Sequence, residues 1–155
     1  MAIQKKINIQ NKKARFEYEI LDKYTAGIQL TGTEIKSIRE SKARITESFC
    51  EFNVKGELFI VNMYIEEYLY GHHFNHKTTS ERRLLLNKKE LRSLKKDVEA
   101  KGNTIVPLRL FLNENGWAKL EIALAKGKKI HDKRETIKNR DNKRDLARIK
   151  KTFNT

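Results

Sequence analysis

Very little in this chain invites cross-linking, membrane insertion or cofactor chemistry. There is one cysteine in 155 residues, so no internal disulfide can form, which fits a reducing compartment. No apolar run approaches the roughly 20 residues that a membrane-spanning helix needs. The opening stretch "MAIQKKINIQNKKA" is polar throughout, so no signal peptide is expected and the cytoplasm is the expected location. The seven glycines are scattered and form no Walker, dinucleotide or G-x-S-x-G fingerprint. Cys50 lies within an apolar alternation, as a small core residue would, and Glu66 and Glu67 have no evident partner for acid–base work. No enzyme and no cofactor are expected. His72, His73 and His76 make an H-H-x-x-H array, but a tetrahedral metal site wants a fourth ligand and there is no second cysteine. The favoured reading is a polar loop whose imidazoles stack on bases or contact phosphates, with no metal.

Positive charge is what the chain has in excess. The formal net charge is +14. Residues 126–155 hold 12 basic and 4 acidic side chains, so a fifth of the chain carries +8, more than half of the excess. Polyanions are the natural partners of such a surface, because neutralised phosphates release counterions. An anionic membrane fits less well, since the C-terminal run lacks the broad apolar face of an interfacial helix. That run is also too poor in large apolar groups to offset its own ordering entropy, so it is expected to be disordered when free.

The remaining residues alternate in ways that predict a compact body. Residues 1–13 are expected to be loose. From Ala14, the residues Phe16, Tyr18 and Ile20 face one way, which predicts a half-buried strand, continued through Ile28 and Leu30 with Gly27 as a bend or bulge. Thr31 and Glu34 have capping-box spacing and open a short helix ending near Ser41, with Ile35 and Ile38 inward. "SFCEFNV" and "ELFIVNMYI" flank Lys55-Gly56 as a hairpin, with Cys50, Phe52 and Val54 on one face and a central second strand. Residues 66–83 read as a long loop of the kind that often carries function. Asn87 with Glu90 caps a second helix, which presents Leu91, Leu94 and Val98 and stops at Gly102. A last hairpin joins "TIVPLRLFL" to "WAKLEIALA". Leu108, Leu110 and Leu112 are expected to point inward together, as are Ala118, Leu120, Ile122 and Leu124, with Pro107 early in its strand. The fold class is therefore mainly β: a small closed or partly open antiparallel barrel of about six strands with flanking helices and a basic C-terminal tail. The divisions are 1–13 N-terminus, 14–125 body and 126–155 tail.

Basic residues gather in "NKKELRSLKK", which includes Lys88 and Lys89, in "AKGKKIHDKR" and in the tail. Tyr24, Tyr64, Tyr68, Tyr70 and Phe74 are available as stacking faces. Nucleic-acid binding by a monomer is the class these residues favour. A general rRNA- or single-strand-binding barrel is the alternative.

The stretches "NKKARFEYEI", "AGIQLTGTEIKSIRESKA", "NHKTTSERRLLLN" and "GNTIVPLRLFLNENGWAKLEIALAKGKKIHDKRE" together resemble, in order, the SmpB family. The resemblance implies an OB-type barrel without enzymatic activity. It implies binding to the tRNA-like domain of transfer-messenger RNA, entry with EF-Tu into ribosomes stalled without an A-site codon, and the rescue and peptide tagging called trans-translation. Carried over by matching letters, Leu85, Asn87 and Lys119 fall on RNA-contacting positions. Lys126, Lys128, Lys129, His131, Asp132, Lys133 and Arg134 fall on the segment that meets the decoding centre, and Ile149 on a tail position tied to accommodation. Thr25 stands where members commonly have Glu, and Phe16 where some have His, so those two contacts are not carried over. Glu34 matches the motif, with helix capping the equal reading.

In the tail, Arg140, Arg144 and Arg148 recur at i, i+4 and i+8, which opposes a free helix by a few tenths of a kcal/mol per pair. The same stripe suits a helix laid along rRNA phosphates in an empty mRNA channel, with Leu146, Ile149 and Phe153 as a thin apolar line.

Overall fold

The computed structural model describes residues 6–100 and 102–128. In chain order these form β1 (Asn8–Gln10), α1 (Lys12–Glu17), β2 (Tyr18–Ile28), α2 (Gly32–Arg39), β3 (Ala43–Arg44) and β4 (Phe49–Phe52). There follow β5 (Leu58–Val61), β6 (Tyr64–Ile65), β7 (Arg82–Leu85), α3 (Lys88–Val98), β8 (Asn103–Leu112) and β9 (Ala118–Gly127). Six strands run in the order β8-β4-β5-β7-β2-β9, and β9 pairs back onto β8, so the antiparallel sheet closes on itself. This is the small barrel of about six strands with flanking helices that the alternation predicted. Closure leaves no long free edge to template aggregation. β1 adds to β8, and β3 and β6 pair as a separate short ribbon.

Leu120, Ile122 and Leu124 of β9 project into the barrel, where they meet Leu58, Ile60, Leu84, Ile105 and Leu110. Leu94 of α3 and Ile38 of α2 join the same core. Ala123 and Ala125 alternate to the other face yet are also buried. With Ala14, Val106 and Leu108 they form a second small core beneath α1. Leu108 therefore does not point the same way as Leu110 and Leu112. The β8–β9 register shifts between Pro107 and Arg109, and a one-residue shift reverses which face follows. Pro107 sits at this irregularity inside β8 rather than early in the strand, where its missing N–H interrupts no regular ladder. Its carbonyl accepts a bond from Asn11 Nδ2 at 3.0 Å.

The N-terminal stretch departs further from expectation. Residues 8–10 are not loose but form β1, and residues 12–17 form a helix where a strand was predicted from Ala14. The local signal is weak there; the decisive interactions are long-range. β1 occupies the part of the β8 edge that β4 leaves open, pairing Asn8 with Phe111 and Gln10 with Arg109. Asn11 then donates its backbone N–H to Leu108 O (2.8 Å) and caps α1 by accepting from Ala14 N (3.2 Å). Tyr18 and Ile20 do share a face, against the second core.

Helix signals fared better. Thr31 and Glu34 form the capping box of α2, and Asn87 caps α3. The Lys55-Gly56 turn is present, with Gly56 at φ +81°, and β5 is central between β4 and β7. Val54 lies in that turn, fully exposed, rather than on the strand. The long loop ends one residue before Arg82, which opens β7.

Candidate nucleic-acid interface

Cross-strand register sets the site. Leu85 of β7 faces Gly27 of β2, Gly27 faces Lys119 of β9, Lys119 faces Phe111 of β8, and Phe111 faces Asn8 of β1. Directly opposed residues in antiparallel pairs share a face. These five therefore form one row across five strands, on the outside of the barrel. Leu85, at 49% exposure, is the apolar member at one end. Gly27 is neither bend nor bulge, because it stays in register on both sides; the β2 irregularity lies at Ile20–Asp22. What Gly27 supplies is proximity. A Cβ added there would lie 3.4 Å from Leu85 Cβ and 3.7 Å from Lys119 Nζ, so the Lys119 ammonium stretches over the bare backbone toward Leu85.

The next row holds Thr25, Glu121, Arg109 and Gln10. Glu121 is engaged by Arg109 at 3.1 Å, and Arg109 also lies 4.2 Å from the centre of the Phe111 ring. Lys119 has no carboxylate partner among the described residues. Its charge is left for an external anion, beside an exposed apolar side chain.

From Leu85, the last residue of β7, the chain passes through Leu86 to Asn87. Its Oδ1 accepts from Glu90 N at 2.8 Å, so the side-chain oxygen caps α3 while the amide nitrogen stays at the surface. Lys88 and Lys89 follow, exposed, in the first turn. Cations at the positive end of a helix dipole cost a few tenths of a kcal/mol, which an anionic partner bound there reverses. Thus Leu85, Asn87, Lys88, Lys89 and Lys119 gather around the β7–α3 junction.

The tail positions stand apart. Lys126 is exposed, seven residues along β9 from Lys119, roughly 23 Å at the usual rise per residue. Lys128 donates its backbone N–H to Glu17 O, at the end of α1, at 3.0 Å. Lys129, His131, Asp132, Lys133, Arg134, Arg140, Arg144, Arg148 and Ile149 lie outside the described residues.

Some of the other candidates are held inside the fold. His76 is buried, with Nδ1 2.9 Å from Thr33 Oγ1 and Nε2 3.0 Å from Ile65 O. A carbonyl only accepts, so Nε2 carries a hydrogen, and neither nitrogen is turned toward a base or phosphate. His73 is exposed, and the side chain of His72 lies outside what is described. Glu34 is also buried. It accepts from the Thr31 backbone N–H at 2.9 Å and pairs with Arg82, so capping is its role here rather than surface contact. Arg82 was invisible as a core residue because a lone arginine in a polar loop reads as surface. Cys50 is buried in the barrel, where desolvation pushes its thiol pKa far up. Among the aromatics, Tyr24 packs on the core, and Arg44 lies 4.6 Å from the Tyr64 ring centre. Tyr68 and Tyr70 meet edge-on at 5.6 Å on the 66–81 loop, outside the Leu85–Lys119 row.

A sequence model of the family described as SmpB protein matches residues 8–152. The chain belongs to the SmpB family. SmpB relatives resemble it along nearly their full length. A protein of Flavobacterium psychrophilum named SsrA-binding protein is 70% identical over 149 residues, covering 96% of this chain and 99% of the relative. A Bacteroides thetaiotaomicron protein of the same name is 57% identical, covering 94% and 97%. A solved SmpB structure, described as "tmRNA-SmpB: a journey to the center of the bacterial ribosome", matches with a TM-score of 0.67 and 48% identity over 80% of this chain and 86% of that one.

Proposed function

We propose that this chain binds the tRNA-like domain of transfer-messenger RNA and brings it to stalled ribosomes for trans-translation. The names of its relatives, for binding SsrA, and of its solved neighbour, for tmRNA and the bacterial ribosome, support this function. The single observation that carries the site is the Lys119 ammonium lying unpaired over Gly27 against exposed Leu85, next to the capped, lysine-bearing start of α3. Lys119, Lys88 and Lys89 take phosphates, Leu85 takes an apolar sugar or base face, and Asn87 offers its amide. The tail beyond Lys128, including Arg140, Arg144, Arg148 and Ile149, enters the vacant decoding centre and mRNA channel and becomes helical there, while Lys126 and Lys128, held to β2, β8 and Glu17, stay with the barrel. Its root stands at the far end of β9 from Lys119, so one barrel can face two RNAs at once.

The test is salt-dependent binding of the isolated tRNA-like domain. Replacing Lys119, Lys88 and Lys89 by alanine should reduce the log–log slope by roughly 0.7–0.9 per lost phosphate contact. An unchanged slope would remove these residues from the interface.

A further inference from the structure

At one mouth of the barrel, a slot of about 260 Å³ opens between α2 and the tip of the β8–β9 hairpin. Its floor is apolar, made by Ile28, Leu30, Ile35 and Ala118, and its rim carries Arg39, Asn115 and Trp117. Trp117 is the sole tryptophan of the chain and is 70% exposed. An indole left in water beside an uncovered apolar floor forgoes the burial that large aromatics ordinarily gain. Arg39 reaches the hairpin tip, where a Cβ added at Gly116 would lie 3.9 Å from its Nη2. It has no carboxylate partner among the described residues.

We infer that this slot seats one unpaired nucleobase of the bound RNA, stacked on Trp117, with Arg39 and Asn115 meeting its polar edge or adjoining phosphate. The inference rests on the proposed RNA-binding reading and extends its surface. Continuity argues for RNA as the occupant: Ala118 directly precedes Lys119 and Ile28 directly follows Gly27, so the slot begins one residue beyond the row that offers the free ammonium. The composition argues likewise. An aromatic plane, a flat guanidinium and an amide are the groups that receive a splayed-out base, and stacking tolerates any base because each has a π-face.

A single tryptophan makes the test direct. The full-length chain is titrated with the tRNA-like domain of transfer-messenger RNA while indole emission is recorded, and binding is followed independently by anisotropy of end-labelled RNA. Quenching of Trp117 in step with binding is expected. Trp117→Ala should weaken binding by between about 5- and 150-fold, the range for loss of one stacked base. Trp117→Phe should recover most of that loss, and Trp117→Leu, apolar without a π-face, should not. A fully paired RNA duplex should bind more weakly and leave emission nearly unchanged. If the RNA binds but emission stays constant, or Trp117→Ala binds as tightly as the parent, the stacking slot is refuted while the RNA-binding reading stands. If the duplex quenches equally, no unpaired base is involved and the slot is again refuted. If the parent fails to bind this RNA at all, both readings fall.

Discussion

Arg82 and Glu34 form an ion pair inside the protein, with side-chain exposures of 2% and 5%. Arg82 also donates to Met63 O at 2.6 Å and, through Nη2, to Thr78 O at 3.1 Å and Lys77 O at 3.2 Å. One guanidinium thus ties the first turn of α2, the end of the long loop and the start of β7. Removing either partner leaves a buried charge unpaired, so Arg82→Met or Glu34→Ala should destabilise by about 3–5 kcal/mol. Replacing both by apolar residues should cost less than the sum of the single losses. Urea unfolding of the single and double variants measures this; strict additivity would mean the two side chains are not coupled.

Asn87 caps α3, and the proposed function adds a contact with RNA. Asn87→Ala should lose about 1 kcal/mol of cap stability and weaken RNA binding together. Asn87→Asp keeps an accepting oxygen for Glu90 N and adds a favourable charge at the helix start, so stability should be held within about 0.5 kcal/mol. It also turns a donor into a carboxylate facing RNA, so affinity should fall. Parent-like RNA affinity in the aspartate variant would show that Asn87 is a cap and nothing more.

Cys50 gives the fold a pH signature. Its folded pKa lies far above the value in the unfolded chain, because burial disfavours the thiolate. Its contribution is therefore fully present below the unfolded pKa of about 8.5 and diminishes as pH rises, since only the unfolded chain then releases the proton. Between pH 9 and 10 the parent should lose about 1.2 kcal/mol more stability than Cys50→Ala does. The native thiol should also resist disulfide-exchange reagents until urea exposes it. Parallel stability curves for the two proteins would contradict the burial argument.

A chain ending at Lys128 retains the bond from its backbone N–H to Glu17 O. It should bind the tRNA-like domain within about twofold of the full chain at moderate salt, while peptide tagging on stalled ribosomes disappears. Loss of RNA affinity on truncation would mean that the tail, not the barrel face, grips that RNA.

Where sequence and structure agree, the information was local. The Thr31–Glu34 box, the Asn87–Glu90 cap and the glycine turns at Gly56 and Gly116 need only neighbours a few residues away. Where they differ, distant residues decide. β1 exists because β8 offers an open edge, and Leu108 changes face because of a register shift around Pro107. Leu85, Asn87 and Lys119 are proposed as contacts from family motifs, but the closeness of Gly27 to Leu85 and Lys119 could not be read there, since neighbours across two strands are invisible in a linear string. The exposure of Trp117 is hidden from the linear string for a related reason. Within "WAKLEIALA" it reads as the first strand residue, and only the hairpin geometry leaves its indole in the open.

β9 is laddered on both sides, to β2 and to β8, along nearly its whole length. Tension applied to the C-terminal appendage pulls this strand along its own axis, so many hydrogen bonds share the load and none opens first like a zipper tooth. A tug delivered at Gly127 is therefore carried rigidly to Lys119, which equips the barrel to act as a mechanical coupling between whatever holds the appendage and whatever rests on the opposite end.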